Sequence, residues 1–441
     1  MTEEILSYQR ITNISLKMDS YIDANDEKLI NYCHSLQKSK GETPFPTAQL
    51  YYTIGTGYFS AYSRGIENEW SSPHIKRAVY YLRKALHEVA SHKEEYYSFD
   101  NGNKTAYLST SHLRSKISIN LANYLAEQHR HIEALEFYDI AINEKNAFGL
   151  TTKARCLIKM SESTYDKNAR FFCYKQAYKL SKIAALPESI CTPSEQDIFE
   201  NLKRQLNQYS TWFEYQYPDY IESDHSDTHR EKFMNRKHKY YLDWIGQNNL
   251  FLNFTNNVIT EEYAYEDCLN LPPFSGKIDT LLLQSEELAY HSHFEEMKDT
   301  YLYARYIFHT ALQIPLDTDH IYNSTASQVD SYDSTFYSLR TNHYKTALRC
   351  LYSMQDKIAY FIYKFYKIPE REVEERDVTM RKIFQAGKKP NSWLNRSDNP
   401  FLKAIFFLSQ DIIDTSGNKP TTNKDPKEGL KYPPIFEALA A

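Results

Sequence analysis

The fold is decided by DTYLYARYIFHTALQIPL (Asp299–Leu316) and STFYSLRTNHYKTALRCLYSMQDKIAYFIYKFYKI (Ser334–Ile368), two apolar-striped stretches in the C-terminal third of the chain. Apolar residues recur in both at steps of three and four, which places them on one face of a helix. They are Tyr301, Ala304, Ile307, Phe308 and Leu312 in the first, and Leu348, Leu351, Ile358, Phe361, Ile362 and Phe365 in the second. Apolar faces this wide are unfavourable in water unless another element packs on them. The pattern therefore predicts that the two helices pack lengthwise in a small bundle.

The same helical period runs through most of the sequence. Glycine is scarce, with 11 residues among 441, and strands have little to be built from, so we expect an all-α fold. A chain of this length exceeds one ordinary core, which favours two domains. The formal net charge of −5 indicates no global surface for nucleic acid and leaves a local basic patch open.

A helical repeat is predicted from ISINLANYLAEQHRHIEALEFYDIAINEKNAF (Ile117–Phe148). Its Leu121, Ala122, Ala134, Tyr138 and Ala141 have the sizes and spacing of a tetratricopeptide repeat, in which small residues let two helices approach closely. A second unit is marked upstream by Ile54, Gly55, Tyr58, Ala78, Leu82 and Ala85, and a third, degenerate one downstream by Tyr174 and Ala177. Such units stack to bury their faces.

Six segments, in order, carry a resemblance to a known family. They are NLANYLAEQHRHIEALEFYDIAI, YLDWIGQNNLFLN, LPPF, YARYIFHTAL, YSLRTNHYKTALRCLYSMQDKIAYFIYKFYKI and NPFLKAIFFLSQDI. Together they resemble the branch of the HEPN superfamily (higher eukaryotes and prokaryotes nucleotide-binding domains) in which tetratricopeptide-like repeats precede a C-terminal HEPN bundle. The resemblance implies a metal-independent ribonuclease used as a toxin or in antiviral defence. It also implies a homodimer in which an arginine and a histidine from each bundle line a shared cleft.

The expected organisation follows from this resemblance and from changes in pattern along the chain. We predict capping helices over 1–40, TPR-like repeats over 45–212, a helical linker over 213–274, a HEPN-like bundle over 275–415 and a mobile tail over 416–441. The segment GETPFPT (Gly41–Thr47) is interpreted as a helix breaker because proline disfavours helix at the preceding residue.

The catalytic signature of the family is absent. It consists of an arginine followed, after four to six residues, by a histidine, and no arginine of this sequence has a histidine at that interval. Metal-free RNA cleavage uses a group to accept the 2′-hydroxyl proton and another to stabilise the phosphorane, for which histidine and arginine are suited. Either the chain stops short of the motif or it has lost it, and we expect impaired catalysis.

Candidate site residues remain. Arg305 and His309 lie one turn apart on one helix face and are the nearest substitute for the catalytic pair, with Arg340 and His343 a comparable pair. The alternative is a salt-bridged arginine and a hydrogen-bonded histidine at a bundle edge. Basic residues interleaved with aromatic ones predict RNA contact at Arg230, Arg236, Lys237 and Lys239, together with Arg340 and His343. A solvated helix face is the alternative for the basic cluster.

Other functions find less support. No phosphate-binding glycine motif is present, and His225 and His229 lack the glutamate of a metalloprotease site, so neither a cofactor nor a metal is predicted. Six scattered cysteines and the lack of a long apolar run favour a cytoplasmic protein without a membrane span. Two functions stay open: a HEPN-type ribonuclease effector with a sensing repeat region, and a non-enzymatic adaptor whose repeats bind a protein or peptide while the bundle dimerises or binds RNA.

Overall fold

The protein is described here from a computed structural model. It describes residues 4–24, 28–64, 73–91, 104–187, 189, 191, 195–221, 235–258, 265–271, 284–314, 321–323, 338–386 and 389–416. The tail predicted to be mobile lies, apart from Ser416, outside these residues.

The structure is all-α, as predicted, with two minor pairs of strands among the described residues. The helices are α1 (Tyr8–Asp23), α2 (Lys28–Ser35), α3 (Pro44–Ser63), α4 (Pro73–Ser91), α5 (Lys104–Glu127), α6 (His131–Asn143), α7 (Ala147–Ser163), α8 (Lys167–Ala184), α9 (Gln196–Gln216), α10 (Arg236–Gln247), α11 (Gln284–Gln313), α12 (Leu339–Phe365), α13 (Met380–Phe384) and α14 (Pro400–Ser416). The strands β1 (Glu4–Leu6) and β2 (Ser39–Gly41) pair in parallel, and β3 (Gln385–Ala386) and β4 (Lys389–Pro390) pair antiparallel. No helix in the described part of the chain has the length and apolarity to cross a bilayer.

The chain divides into two compact units whose boundaries differ from the predicted segments. Among the described residues, the first unit contains those up to 221, 257–258 and 399–416, and the second contains 235–256 and 265–398. Most of the segment predicted to be a linker therefore belongs to the second unit. Helix α14, predicted as part of the C-terminal bundle, belongs to the first.

The first unit is built from packed helix pairs, α3 with α4, α5 with α6 and α7 with α8. All but one of the residues predicted to fill the helix seams are buried: Ile54, Gly55, Tyr58, Ala78, Leu82, Ala85, Leu121, Ala122, Ala134, Tyr138, Ala141 and Ala177. The exception is Tyr174, which is half-buried. Gly55 shows why a small residue is needed, because a Cβ there would lie 3.1 Å from two carbon atoms of Leu82. This is the close helix approach that the spacing predicted, although the assignment to tetratricopeptide repeats stays a prediction.

The proline-rich segment GETPFPT leads into helix α3, whose first residues are the last four of the segment. Pro44 is the first residue of α3 and Pro46 lies in its first turn, where the backbone N–H groups have no partner within the helix. Proline is tolerated there because its missing N–H removes no helical hydrogen bond. The interpretation of Phe45–Thr47 as a helix breaker was therefore wrong, since the same prolines that interrupt a helix also start one.

The second unit contains the two helices that decided the fold prediction, and α11 and α12 do pack on each other. Their buried apolar residues include four alanines, Ala304 and Ala311 on α11 and Ala347 and Ala359 on α12, joined by Ile362 and Tyr363; Arg305 and His309 of α11 are buried as well. Among the larger predicted stripe residues, Leu348, Leu351, Ile358 and Phe361 are only half-buried, and Phe365 is exposed. Close packing through alanines leaves the bulky side chains along the flanks of the seam.

Candidate functional site

Three helix ends meet in the second unit: the start of α10, the end of α11 and the start of α12. The rings of Tyr240 and Trp244 on α10 lie 5.8 and 4.9 Å from the ring of His309 on α11. The neighbouring Phe308 lies 5.3 Å from the ring of Tyr344 on α12. Aromatic contacts thus bring together residues from three separate parts of the sequence, and we call this region the aromatic junction.

Arg305 of α11 is buried beside this junction and fully engaged. Its Nη1 and Nη2 atoms donate to the two carboxylate oxygens of Asp267 at 2.9 and 2.7 Å. Nη1 also donates to the backbone carbonyl of Leu250 at 2.8 Å, and Nε to the Tyr241 hydroxyl at 3.4 Å. Burial tends to lower the pKa of Arg305, but hydrogen bonds to Asp267 and Tyr241 outweigh it and raise the pKa overall. This guanidinium ties α11 to Leu250 and Asp267 and has little capacity left for a phosphate.

His309 is also buried, between the rings of Tyr240, Tyr241 and Trp244. Its Nε2 atom finds no hydrogen-bond partner among the described residues. Burial lowers the pKa of His309, so its imidazole is neutral at neutral pH. Arg305 and His309 therefore share a helix face as predicted, but the arginine is held by Asp267 and the histidine sits under aromatic rings. This arrangement corresponds most closely to the structural alternative for the pair.

The residues predicted to contact RNA lie around the same junction where the structure describes them. Arg236, Lys237 and Lys239 are exposed at the start of α10, next to Tyr240, which is 55% exposed. Arg340 lies at the start of α12, where its Nε donates to the Tyr344 hydroxyl at 3.1 Å and its guanidinium carbon lies 5.6 Å from the Tyr344 ring.

His343 is turned towards its own helix, with Nδ1 at 2.9 Å from the carbonyl oxygen of Leu339. Arg230 lies outside the described residues, as do His225 and His229.

Helix α12 of this unit is predominantly basic. Helix α12 contains five basic residues (Arg340, Lys345, Arg349, Lys357 and Lys364) and one acidic residue, Asp356. Beside it, a shallow depression of about 430 Å³ is lined by Asp299, Thr300, Tyr303, Arg349, Cys350, Ser353 and Lys357. Lys357 is already bound there, to Glu296 at 2.6 Å and to Thr300 at 2.9 Å. The depression is therefore partly neutralised.

A cysteine and a histidine meet inside the first unit, but they cannot form a nucleophilic pair. Cys156 Sγ lies 3.5 Å from His131 Nδ1. Burial raises the pKa of Cys156 to about 12 and lowers the pKa of His131 to about 4. Both groups are neutral at pH 7, so neither thiolate nor imidazolium is present.

Comparison with known families identifies the C-terminal part of the chain. Residues 282–431 match the model of the LA2681-like HEPN family. The protein has a C-terminal HEPN domain. No curated protein and no solved structure matches the chain.

The match extends over the HEPN helices α11, α12 and α14, although α14 belongs to the first compact unit. Helix α10, whose residues cover His309, precedes the matched segment. The sequence had no signal for Asp267, the partner that immobilises Arg305, because the two residues are 38 positions apart.

Proposed function

We propose that this HEPN protein binds RNA through the exposed basic residues at the aromatic junction and has little ribonuclease activity of its own. The observation that carries the proposal is the combination of Arg236 and Lys237 with the exposed ring of Tyr240 at the start of α10. Cations that face solvent bind the phosphate backbone, and an exposed aromatic ring accepts a stacked base. The HEPN match supports RNA as the nucleic acid.

The low expected activity rests on the Arg305–His309 pair. Cleavage needs a proton acceptor with access to the 2′-hydroxyl and a cation near the phosphorane. Arg305 instead pairs with Asp267, and His309 is 8% exposed. The sequence provides no arginine–histidine pair at the spacing of the family motif.

RNA binding is tested by reversing two charges at the junction. We expect Arg236→Glu combined with Lys237→Glu to weaken binding of a labelled single-stranded RNA about tenfold or more at low salt. The plot of log affinity against log salt should become shallower by about 1.4, since each phosphate contact on a single strand contributes about 0.7. Fluorescence anisotropy across a salt series measures both values.

The matched control reverses the same number of charges in the first unit. Lys167 and Arg204 are exposed there, and Lys167→Glu with Arg204→Glu changes net charge by the same amount. This control should retain the affinity of the unmodified protein. Equal loss in both double variants would show that only net charge matters, and the junction would then not be the RNA site.

Incubation with total and structured RNA tests the second half of the proposal. The unmodified protein should leave both intact. Cleavage that disappears in His309→Gln, in a variant with an unchanged circular dichroism spectrum, would contradict the proposal and assign this histidine to the chemistry.

A specific observation also favours a protein partner for the first unit. Terminal helices of stacked repeats usually present a polar outer face. Helix α9 instead exposes Ile198, Trp212 and Tyr215, the last with 81% of its surface accessible. A purely adaptor role predicts that the protein shows no measurable RNA affinity, so the anisotropy experiment separates the two functions.

A further inference from the structure

The last helix of the HEPN-matched segment is held by a buried charge cluster in the first unit. One oxygen of Asp411, on α14, accepts hydrogen bonds from Arg130 Nη1 at 2.7 Å and from Arg83 Nη1 at 3.0 Å. The side chain of Asp411 is 18% exposed, that of Arg130 5% and that of Arg83 11%. Asp411 is 281 positions from Arg130 in the sequence, so this contact belongs entirely to the tertiary structure.

The two arginines are also held by groups other than Asp411. Glu133, at the start of α6, accepts from Arg83 Nη2 at 2.7 Å and from Arg130 Nε at 2.8 Å. Gln128 accepts from Arg130 Nη1 at 3.3 Å. One carboxylate thus orients two guanidinium groups towards a common point.

Charge balance shows that this site requires a second carboxylate. Two arginines and Glu133 alone would leave one uncompensated positive charge in a poorly solvated place, which is costly. Asp411 neutralises the cluster. Burial raises its pKa, but the charges of Arg130 and Arg83 outweigh burial and lower the pKa overall, so the carboxylate stays ionised at neutral pH.

Neighbouring contacts of α14 support the same docking. Lys76 of α4 donates to Gln410 at 2.9 Å, and its Nζ lies 5.9 Å from the ring of Phe406. Phe406, Phe407 and Leu402 are buried. Polar and apolar contacts therefore act on one face of the helix.

We propose that Arg83 and Arg130 form a carboxylate-binding site of the first unit, which this chain's own Asp411 occupies so that the last HEPN helix is held there and released when the site is vacated. The regulatory meaning rests on the proposed RNA binding. Residues 284–398 of the HEPN match belong to the second unit, whereas 399–416 belong to the first. While α14 is held in the first unit, it belongs to a different compact unit from the other HEPN-matched helices, and we expect its release to raise RNA affinity.

Hydrogen exchange of the full chain tests the site directly. Asp411→Asn keeps the shape of the side chain and removes its charge. Backbone amides of 400–416 should then exchange about tenfold faster or more, because hydrogen bonds to charged groups contribute about 1.5–3 kcal/mol. Peptides from α7 and α8 should keep the exchange of the unmodified protein. Asp197→Asn, at an exposed position of α9, is the matched control and should leave 400–416 unaffected.

A mutant cycle then assigns the effect to the two arginines. In an Arg83→Gln and Arg130→Gln background, adding Asp411→Asn should produce no further acceleration. Unchanged exchange in Asp411→Asn, or an equal acceleration in both backgrounds, would overturn the site.

RNA affinity is measured in parallel. A several-fold rise in Asp411→Asn supports release as the regulatory step, and an unchanged affinity overturns it. Absence of RNA binding by both proteins would count against the proposed function, and the exchange data would still decide whether the carboxylate site exists.

Discussion

At the scale of single residues, the engagement of Arg305 decides how the aromatic junction is interpreted. Arg305→Gln leaves Asp267 without its cation and removes one of the two hydrogen-bond donors to the Leu250 carbonyl, the other being the Tyr301 hydroxyl. We expect a loss of about 2–4 kcal/mol, slightly less than for a fully buried ion pair because Asp267 is 19% exposed. Denaturant unfolding followed by tryptophan fluorescence, to which Trp244 beside His309 contributes, measures this loss.

The control is Arg376→Gln, because Arg376 is 81% exposed in its pair with Glu374. Exposed ion pairs contribute about 0–1 kcal/mol, so this variant should change stability little. Equal effects of the two substitutions would mean that Arg305 is not a structural anchor and is free to take part in chemistry.

At the scale of helices, four C-termini adopt a left-handed turn without glycine. His129, Lys145, Asn249 and Lys367 have φ of 59°, 61°, 53° and 46°. In each case the next residue donates back across the turn, as Asn146 N does to the Ala141 carbonyl at 3.1 Å. This hydrogen bond satisfies a carbonyl group at the helix end and so stabilises the turn. The positive φ of the non-glycine residue is strained and destabilises the same turn.

Relief of that strain is measurable at Lys145. Lys145→Gly should stabilise the first unit by about 1 kcal/mol, because glycine adopts positive φ without a Cβ clash. Asn143→Gly, two residues earlier at the last residue of α6, should have the opposite sign, since glycine is the less favourable helix residue of the two. Thermal or denaturant unfolding of both variants gives the comparison, and a destabilising Lys145→Gly would contradict the turn geometry.

At the scale of the whole molecule, exposed tyrosines on the second unit are relevant to the oligomeric state. Tyr303 on α11 and Tyr352 on α12 are 50% and 39% exposed, and both helices bury mainly alanines against each other. The resemblance to the HEPN superfamily implies a paired bundle, and we propose that a second copy of the chain covers these rings. The proposed dimer should therefore have twice the monomer mass of 52.0 kDa.

Light scattering after size-exclusion chromatography tests this expectation. Tyr303→Glu with Tyr352→Glu should shift the mass to that of a monomer, because two buried charges destabilise an apolar interface. The corresponding change of Tyr165 and Tyr215, which are 74% and 81% exposed in the first unit, should leave the mass unaltered. A strict monomer at high concentration would exclude a shared cleft between bundles.

The sequence by itself determined that the chain is helical and which small residues, with some aromatic ones, lie in the helix seams. Periodicity and residue size are local properties, so Ala122, Tyr138 and Ala304 could be recognised as buried from their spacing alone. Only the tertiary structure decided what the charged residues do. Arg305 finds Asp267, and Arg83 and Arg130 find Asp411, across long stretches of chain for which no short-range pattern exists. The physical reason is that a buried charge selects its partner by proximity in the folded state, which helical periodicity does not encode.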